Sequence, residues 1–264
     1  MEIKFSKYHG LGNDFIIIDY INDQFDYSKL VKSICERYIG LGADGLIVVI
    51  REPLTMIYYN QDGSLGTMCG NGLRCFCKYV TDKKYINDND FSVLTSSGIY
   101  KVQMREDLVN VEFLEISLDP KRMGIDTEKD KFFNEVVLDS TCYAIHSGTS
   151  HLVVFVDDFK QITGDYAKSL HEYPLFTEKI NVNFVKVKSR NELIIKTYER
   201  GVGYTLACGT GAIASFKICR MLDKVNSRVT VDYKVGKLLI EETGGKISFT
   251  GPAIKIANGV YIYD

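Results

Sequence analysis

Two short stretches of this chain set a cysteine directly before a glycine-rich start to an apolar segment: Cys69-Gly70-Asn71-Gly72-Leu73 and Cys208-Gly209-Thr210-Gly211-Ala212. The runs that follow, from Gly72 to Thr81 and from Gly211 to Leu222, are apolar on nearly every side, as helices enclosed by sheet are. A cysteine at such a helix start meets unpaired amide N–H groups and the positive end of the helix dipole. Its thiol is then more acidic than the free value of about 8.5. The glycines let a ligand approach the backbone closely, and a carboxylate is a natural guest for such amides. Two of these sites facing each other across a cleft would hold one carboxylate, with a thiol on each face of the carbon attached to it. That arrangement suits inversion at an α-carbon. One thiolate removes the proton and the opposite thiol returns one from the other face, while the amides carry the charge that spreads onto the carboxylate.

The elements that must position these cysteines are mostly strands. Short branched or aromatic runs bounded by Gly, Asn and Asp recur at Phe15 to Ile18, Leu46 to Ile50, Met56 to Tyr59, Phe91 to Leu94 and Val109 to Phe113, and they predict strands. The second half offers Leu152 to Val156, Phe184 to Val187, Leu193 to Tyr198, Arg228 to Val231 and Leu238 to Ile240. Besides the two helices after the cysteines, Tyr27 to Tyr38 and Ile162 to Leu170 carry helical patterns. The halves also resemble each other. Tyr59-Asn60-Gln61 through Gly72 aligns without a gap on Tyr198-Glu199-Arg200 through Gly211, and Gly12-Asn13-Asp14-Phe15 matches Gly148-Thr149-Ser150-His151. This weak repeat predicts two similar domains, related by a pseudo-twofold axis, with Cys69 opposite Cys208. The charged segment from Leu118 to Asp130, with Pro120 and Gly124, is the expected boundary.

Composition excludes several classes. With 45% apolar and 25% charged residues, the chain has the makeup of a globular protein. A net charge of −2 gives no reason to expect nucleic acid or an anionic membrane, and no apolar run approaches a membrane span. Met1-Glu2-Ile3-Lys4 runs straight into a strand-like pattern and does not read as a signal peptide. Seven cysteines, an odd number in a chain of this size, read as reduced thiols in a cytoplasmic protein.

Other motifs have plainer readings. Cys75, Cys77 and Cys219 lie within the helical runs and are expected in the core; Cys35 and Cys142 carry no signal. Cys69, Cys75 and Cys77 lack the paired Cys-x-x-Cys hooks of a zinc site. Gly40-x-Gly42-x-x-Gly45 has the string of a dinucleotide fingerprint but precedes a strand instead of following one, so it reads as a loop with close backbone approach. Asn87-Asp88-Asn89-Asp90 lacks the remainder of a calcium loop. His9, His146 and His171 read as hydrogen-bonded or exposed side chains and not as catalytic ones, and His151 as either a wall of the site or a packing residue.

The chain resembles the diaminopimelate epimerases, which are amino-acid epimerases independent of pyridoxal phosphate. The resemblance rests on Lys7 to Phe15, Gly40 to Gly45, Asn60 to Ser64, Cys69 to Cys75, Asn181 to Phe184, Glu199 to Gly201 and Ala207 to Gly211, in that order. It implies an α/β (α+β) fold of two domains, each a curved, mainly antiparallel sheet wrapped around a central helix. The expected division is residues 1–118 with a C-terminal segment of about 255–264, and residues 119–254. The resemblance implies Cys69 and Cys208 as the acid–base pair, with no cofactor and no metal. Gly70, Asn71, Gly209 and Thr210 would hold the reacting carboxylate through backbone amides. Asn13 and Glu199 would lie near the reacting amino group, and Asn60, Asn181 and Arg200 at the far end of the substrate, where an arginine fork suits a carboxylate. The expected reaction converts LL-diaminopimelate to the meso form. Two positions depart from the family pattern: Thr149-Ser150 stand where Asn-Pro is usual, and Tyr204 stands where glutamate is favoured. A racemase of another amino acid, such as histidine, is therefore the alternative within the class, and a dithiol redox or metal-binding protein is the alternative outside it. The expected partner is a small amino acid, with neither nucleic acid nor membrane; a homodimer is compatible with the sequence.

Overall fold

The computed structural model describes residues 1–66, 68–113 and 116–264. The fold is mixed α+β, and the chain forms two compact units, Met1–Glu112 with Thr250–Asp264, and Phe113–Phe249. Among the described residues, no helix is long and apolar enough to cross a membrane.

In the first unit, β1 (Glu2–Gly10) and β2 (Asn13–Asp19) form a hairpin, α1 (Tyr27–Ile34) crosses over, and β3 (Gly45–Ile50) and β4 (Thr55–Asn60) form a second hairpin before α2 (Gly70–Asp82). The hairpins join through a parallel β2–β3 pairing with Phe15 opposite Gly45. The unit continues through the antiparallel β5 (Asp90–Thr95), β6 (Gly98–Arg105) and β7 (Leu108–Phe113). The second unit opens with β8 (Phe133–Val137) and then repeats the order: β9 (Ser140–His146), β10 (Ser150–Phe155), α3 (Gly164–His171), β11 (Asn181–Ser189), β12 (Glu192–Glu199), the short β13 (Gly203–Thr205) and α4 (Gly209–Met221). Here β10 and β11 are the parallel pair, with His151 opposite Asn181. Strands β14 (Arg228–Tyr233), β15 (Gly236–Thr243) and β16 (Lys246–Pro252) follow, and β17 (Ile254–Ile262) pairs with β1.

The central strands are apolar without alternation because helices cover both faces. On β2 and β3, Ile16, Ile18, Leu46 and Val48 pack with Leu30, Val31 and Ile34 of α1. Phe15 and Ile47 lie next to the start of α2, within 3.5 Å of where a Cβ on Gly72 would stand. Full burial of each such side chain contributes about 1.5–3 kcal/mol. In the second unit Leu152, Val154, Val182 and Phe184 share a core with Ala167 and Leu170 of α3. Because strand side chains alternate in direction, His151 and Asn183 take the opposite face. Asn183 Oδ1 lies 2.3 Å from where a Cβ on Gly211 of α4 would stand.

The element limits differ from the sequence expectation in informative ways. Both cysteine-led helices begin two residues early, at Gly70 and Gly209, so the cysteines are the capping residues themselves. The first predicted helix stops at Ile34 instead of Tyr38; the chain then turns back, with Leu41 and Gly42 amides donating to Ile34 O. Gly42 there has φ +70, a conformation that favours glycine. Val156 lies just outside β10, although its amide still donates to Val185 O. In the segment from Leu118 to Asp130, Met123 and Ile125 are buried in the core of the second unit.

Candidate active site

In the first unit, Cys69 is the N-cap of α2, with extended backbone (φ −138, ψ 110). Its sulfur accepts the Gly72 N–H at 3.4 Å, the role an N-cap oxygen usually fills. The helix ladder begins only with Leu73 N–H donating to Cys69 O, so helix geometry provides no carbonyl for the amides of Gly70 and Asn71. The Cys69 thiol donates to Asn13 Oδ1 at 3.5 Å, and the same oxygen accepts Asn71 Nδ2 at 3.3 Å. Asn13 is fixed from behind, with Nδ2 donating to Asp44 Oδ2 at 2.6 Å. Asp44 in turn is held by Arg37 at 2.6 Å, and Arg37 also pairs with Asp14 at 2.9 Å. Burial acts to raise the Asp14 carboxyl, but Arg37 and Lys7 outweigh it and hold the group below the usual carboxylate range. Asn71 is oriented by the fully buried Arg74, whose Nη2 donates to Asn71 Oδ1 at 2.9 Å while its Nη1 reaches Gly70 O at 3.4 Å.

In the second unit, Cys208 caps α4 in the same way (φ −126, ψ 113), and its sulfur accepts Gly211 N–H at 3.3 Å. The Thr210 hydroxyl lies 3.4 Å from that sulfur. The Glu199 carboxylate takes a hydrogen bond from the Thr205 hydroxyl at 2.5 Å, and the Thr205 hydroxyl and the Cys208 thiol both act to lower its pKa. Burial nevertheless raises the Glu199 pKa above its ordinary value, so this carboxyl holds a proton more readily than a solvated one. The Tyr233 hydroxyl anchors the cap from behind by donating to Cys208 O at 2.8 Å.

Next to this cap sits a buried polar cluster. His151 Nε2 is 2.9 Å from Thr149 Oγ1 and 3.0 Å from Thr210 Oγ1. Its Nδ1 is 3.0 Å from Asn183 Nδ2. Burial, with a smaller contribution from His146, pushes the His151 pKa down to about 3, so the ring is neutral. Thr149 Oγ1 also accepts Asn181 Nδ2 at 3.3 Å, and Asn181 Oδ1 accepts the Arg200 N–H at 2.9 Å.

Of the residues singled out in the sequence, the first unit therefore gathers Asn13, Cys69, Gly70 and Asn71. The second gathers Thr149, His151, Asn181, Glu199, Cys208, Gly209 and Thr210; Arg200 joins them through its backbone N–H, while its guanidinium donates to Glu178 O at 2.9 Å. Asn60 is held at the turn after β4, its amide donating to Ser64 Oγ at 3.0 Å. Tyr204 points its hydroxyl to Thr163 O at 3.4 Å. Sequence reasoning missed Asp44, Arg74, Asn183, Thr197, Thr205 and Tyr233. Asn183 was within reach, since it lies two positions after Asn181 on a strand and so shares its face. The remaining cysteines behave as core residues. Burial raises the thiols of Cys35, Cys142 and Cys219 to about 12 and those of Cys75 and Cys77 further, which removes them from chemistry near neutral pH.

Known proteins share this fold. The solved structure of a Bacillus anthracis phenazine biosynthesis protein of the PhzF family superimposes with a TM-score of 0.71 at 12% identity, covering 100% of both chains. That of a probable proline racemase from Agrobacterium radiobacter K84 gives 0.69 at 12% identity, over 99% of this chain and 93% of the other. At such identity the likeness concerns the fold alone. Sequence relationships go further. The diaminopimelate epimerase of Alkaliphilus metalliredigens is 39% identical over 99% of this chain and 98% of its own length. That of Caldanaerobacter subterraneus subsp. tengcongensis is 37% identical over 90% and 92%. The family model described as diaminopimelate epimerase matches residues 5–116 and 143–256, a range that takes in both cysteine caps, and the chain belongs to the diaminopimelate epimerase family.

Proposed function

We propose that this chain is a diaminopimelate epimerase that inverts one α-carbon, interconverting LL- and meso-diaminopimelate, with Cys69 and Cys208 as acid and base. The observation that carries the reading is the shared seat of the two sulfurs. In a member of this family, each caps a buried helix and accepts the amide of the third helical residue, at 3.4 and 3.3 Å. One cysteine, as thiolate, takes the α-proton. The electron pair of the broken C–H bond spreads into the neighbouring carboxylate, where helix-terminal amides stabilise it. The other cysteine, as thiol, delivers its proton to the opposite face. After one turnover the two sulfurs have exchanged protonation states, and general acid–base catalysis runs in either direction.

In this reading the amides of Gly70, Asn71, Gly209 and Thr210 bind the reacting carboxylate. Asn13, bonded to Cys69, and Glu199, whose pKa the Cys208 thiol acts to lower, lie beside the α-amino group. Asn60, Asn181 and Arg200 receive the distal end. Thr149, whose hydroxyl already joins Asn181 to His151, supports Asn181 in that task. The product is a precursor of lysine and peptidoglycan, and the partner required is one small amino acid; a homodimer is compatible with this. The odd number of cysteines supports a reducing, cytoplasmic setting.

Incubation with diaminopimelate in heavy water tests the reading. The expected result is deuterium at the α-carbon with the wild-type chain, and loss of epimerisation in Cys69→Ala and Cys208→Ala. Wild-type protein that exchanges no α-proton of diaminopimelate, while exchanging that of histidine or another amino acid, would reassign the substrate.

A further inference from the structure

Asn183 is fully buried on β11 and has no part in the chemistry described so far, yet its amide is bonded on every side. Its Oδ1 accepts the Thr197 hydroxyl at 3.0 Å, and its Nδ2 donates to Leu152 O at 3.3 Å. A backbone carbonyl only accepts, so the amide cannot be turned round without setting two oxygens against each other. Gly211 makes room for the amide, since a Cβ there would stand 2.3 Å from Oδ1.

That orientation has a consequence for His151. The atom facing His151 Nδ1 at 3.0 Å is Nδ2, a donor, so Nδ1 must be the bare nitrogen. The neutral ring then carries its proton on Nε2. Nε2–H faces the Thr149 and Thr210 hydroxyls at 2.9 and 3.0 Å, which become acceptors. Thr149 also accepts from Asn181, so its own proton points to Thr210 Oγ1, 3.4 Å away. The Thr210 proton is left for the Cys208 sulfur at 3.4 Å. Every donor in the row points toward that sulfur.

We propose that Asn183 is a positioning residue for the reaction: it holds His151 as the Nε2–H tautomer, which directs the Thr210 hydroxyl proton onto Cys208 and stabilises its thiolate. This rests on the epimerase reading of the site. A hydrogen bond to an anion is stronger than one to a neutral group, so the device acts when Cys208 is charged. The aspartate of Asn183→Asp, when ionised, can only accept at Nδ1. It would move the ring proton there and leave Nε2 to accept from the threonines, withdrawing the donor from sulfur.

Long-range proton–nitrogen NMR reads the tautomer directly, in a chain with only four histidines. The wild type is expected to show His151 with Nε2 protonated and Nδ1 bare. Asn183→Asp is expected to show the reverse above the pH at which its own ring titrates in the same spectra. There, kcat should fall about ten- to hundredfold with KM little changed. A wild-type His151 protonated on Nδ1 would overturn the proposal even if the variant does not fold. A folded Asn183→Asp with the reversed tautomer and wild-type kcat would overturn the directing role. α-Deuterium incorporation by the wild type tests the epimerase reading separately, so either can fail alone.

Discussion

Asn13 Oδ1 stands 3.5 Å from Cys69 Sγ, and the same side chain donates 2.6 Å to Asp44 from its other end. The asparagine is thus held by the Asp44–Arg37–Asp14 network with its oxygen turned to the thiol. Removing it by Asn13→Ala should lower kcat about two- to tenfold, the worth of the neutral hydrogen bond that holds the Cys69 proton. Steady-state kinetics in both directions check this, and unchanged kcat would show that the contact is incidental.

Gly209 and Gly211 lie in the same first turn of α4 and should respond differently to alanine. A Cβ at Gly209 meets nothing within 4 Å, whereas one at Gly211 would stand 2.3 Å from Asn183 Oδ1. Gly211→Ala should destabilise the protein by about 1–3 kcal/mol through overpacking. Gly209→Ala should leave stability unchanged but, on the proposed binding of a carboxylate by these amides, raise KM. Urea unfolding and kinetics on both variants separate the two effects.

Glu199 should trade stability for activity. Burial raises its pKa, so the native state binds its proton more readily than the unfolded chain does. The stabilising contribution is complete below the unfolded value of about 4.3 and is lost as pH rises through the native one. At neutral pH the carboxylate is then a net cost. Glu199→Gln should have a higher Tm than wild type at pH 7, a difference that vanishes near pH 4, together with a lower kcat. An equal or lower Tm at pH 7 would contradict the assignment.

His151 has the opposite sign. Its native pKa is pushed down to about 3, while an unfolded histidine titrates near 6.5. Below that value the unfolded chain takes up a proton that the native state refuses, so stability is complete above about pH 6.5 and falls as pH drops. Between pH 6.5 and pH 5 the loss from this residue should be about 2 kcal/mol. His151→Gln should lose correspondingly less over that interval in urea unfolding.

What could be read from the sequence was local. A cysteine followed by Gly-x-Gly and an apolar run marks a helix start by capping and dipole alone, and its recurrence at 69 and 208 announced two equivalent sites. Strands whose runs are branched and bounded by turn residues were legible for the same reason. Others were not. β13 is three residues of Gly-Tyr-Thr, and β17 keeps most of its side chains exposed, so neither shows the pattern burial imprints. Both helices start two residues ahead of the expectation, because Gly70-Asn71 and Gly209-Thr210 carry no apolar period and only the cap geometry marks a first turn.

The supporting network belonged to tertiary structure. Asn13 and Asp44 meet because β2 and β3 pair in parallel across α1. His151 and Asn183 meet because β10 and β11 do the same across α3. A parallel pair is joined through a crossover many residues long, so its register is set by packing on both faces and by no local signal. The sequence by itself determined which sulfurs sit at helix ends. Only the folded sheet decided which asparagines, carboxylates and ring nitrogens stand behind them, because a hydrogen bond between distant residues exists only once pairing has brought them within about 3 Å.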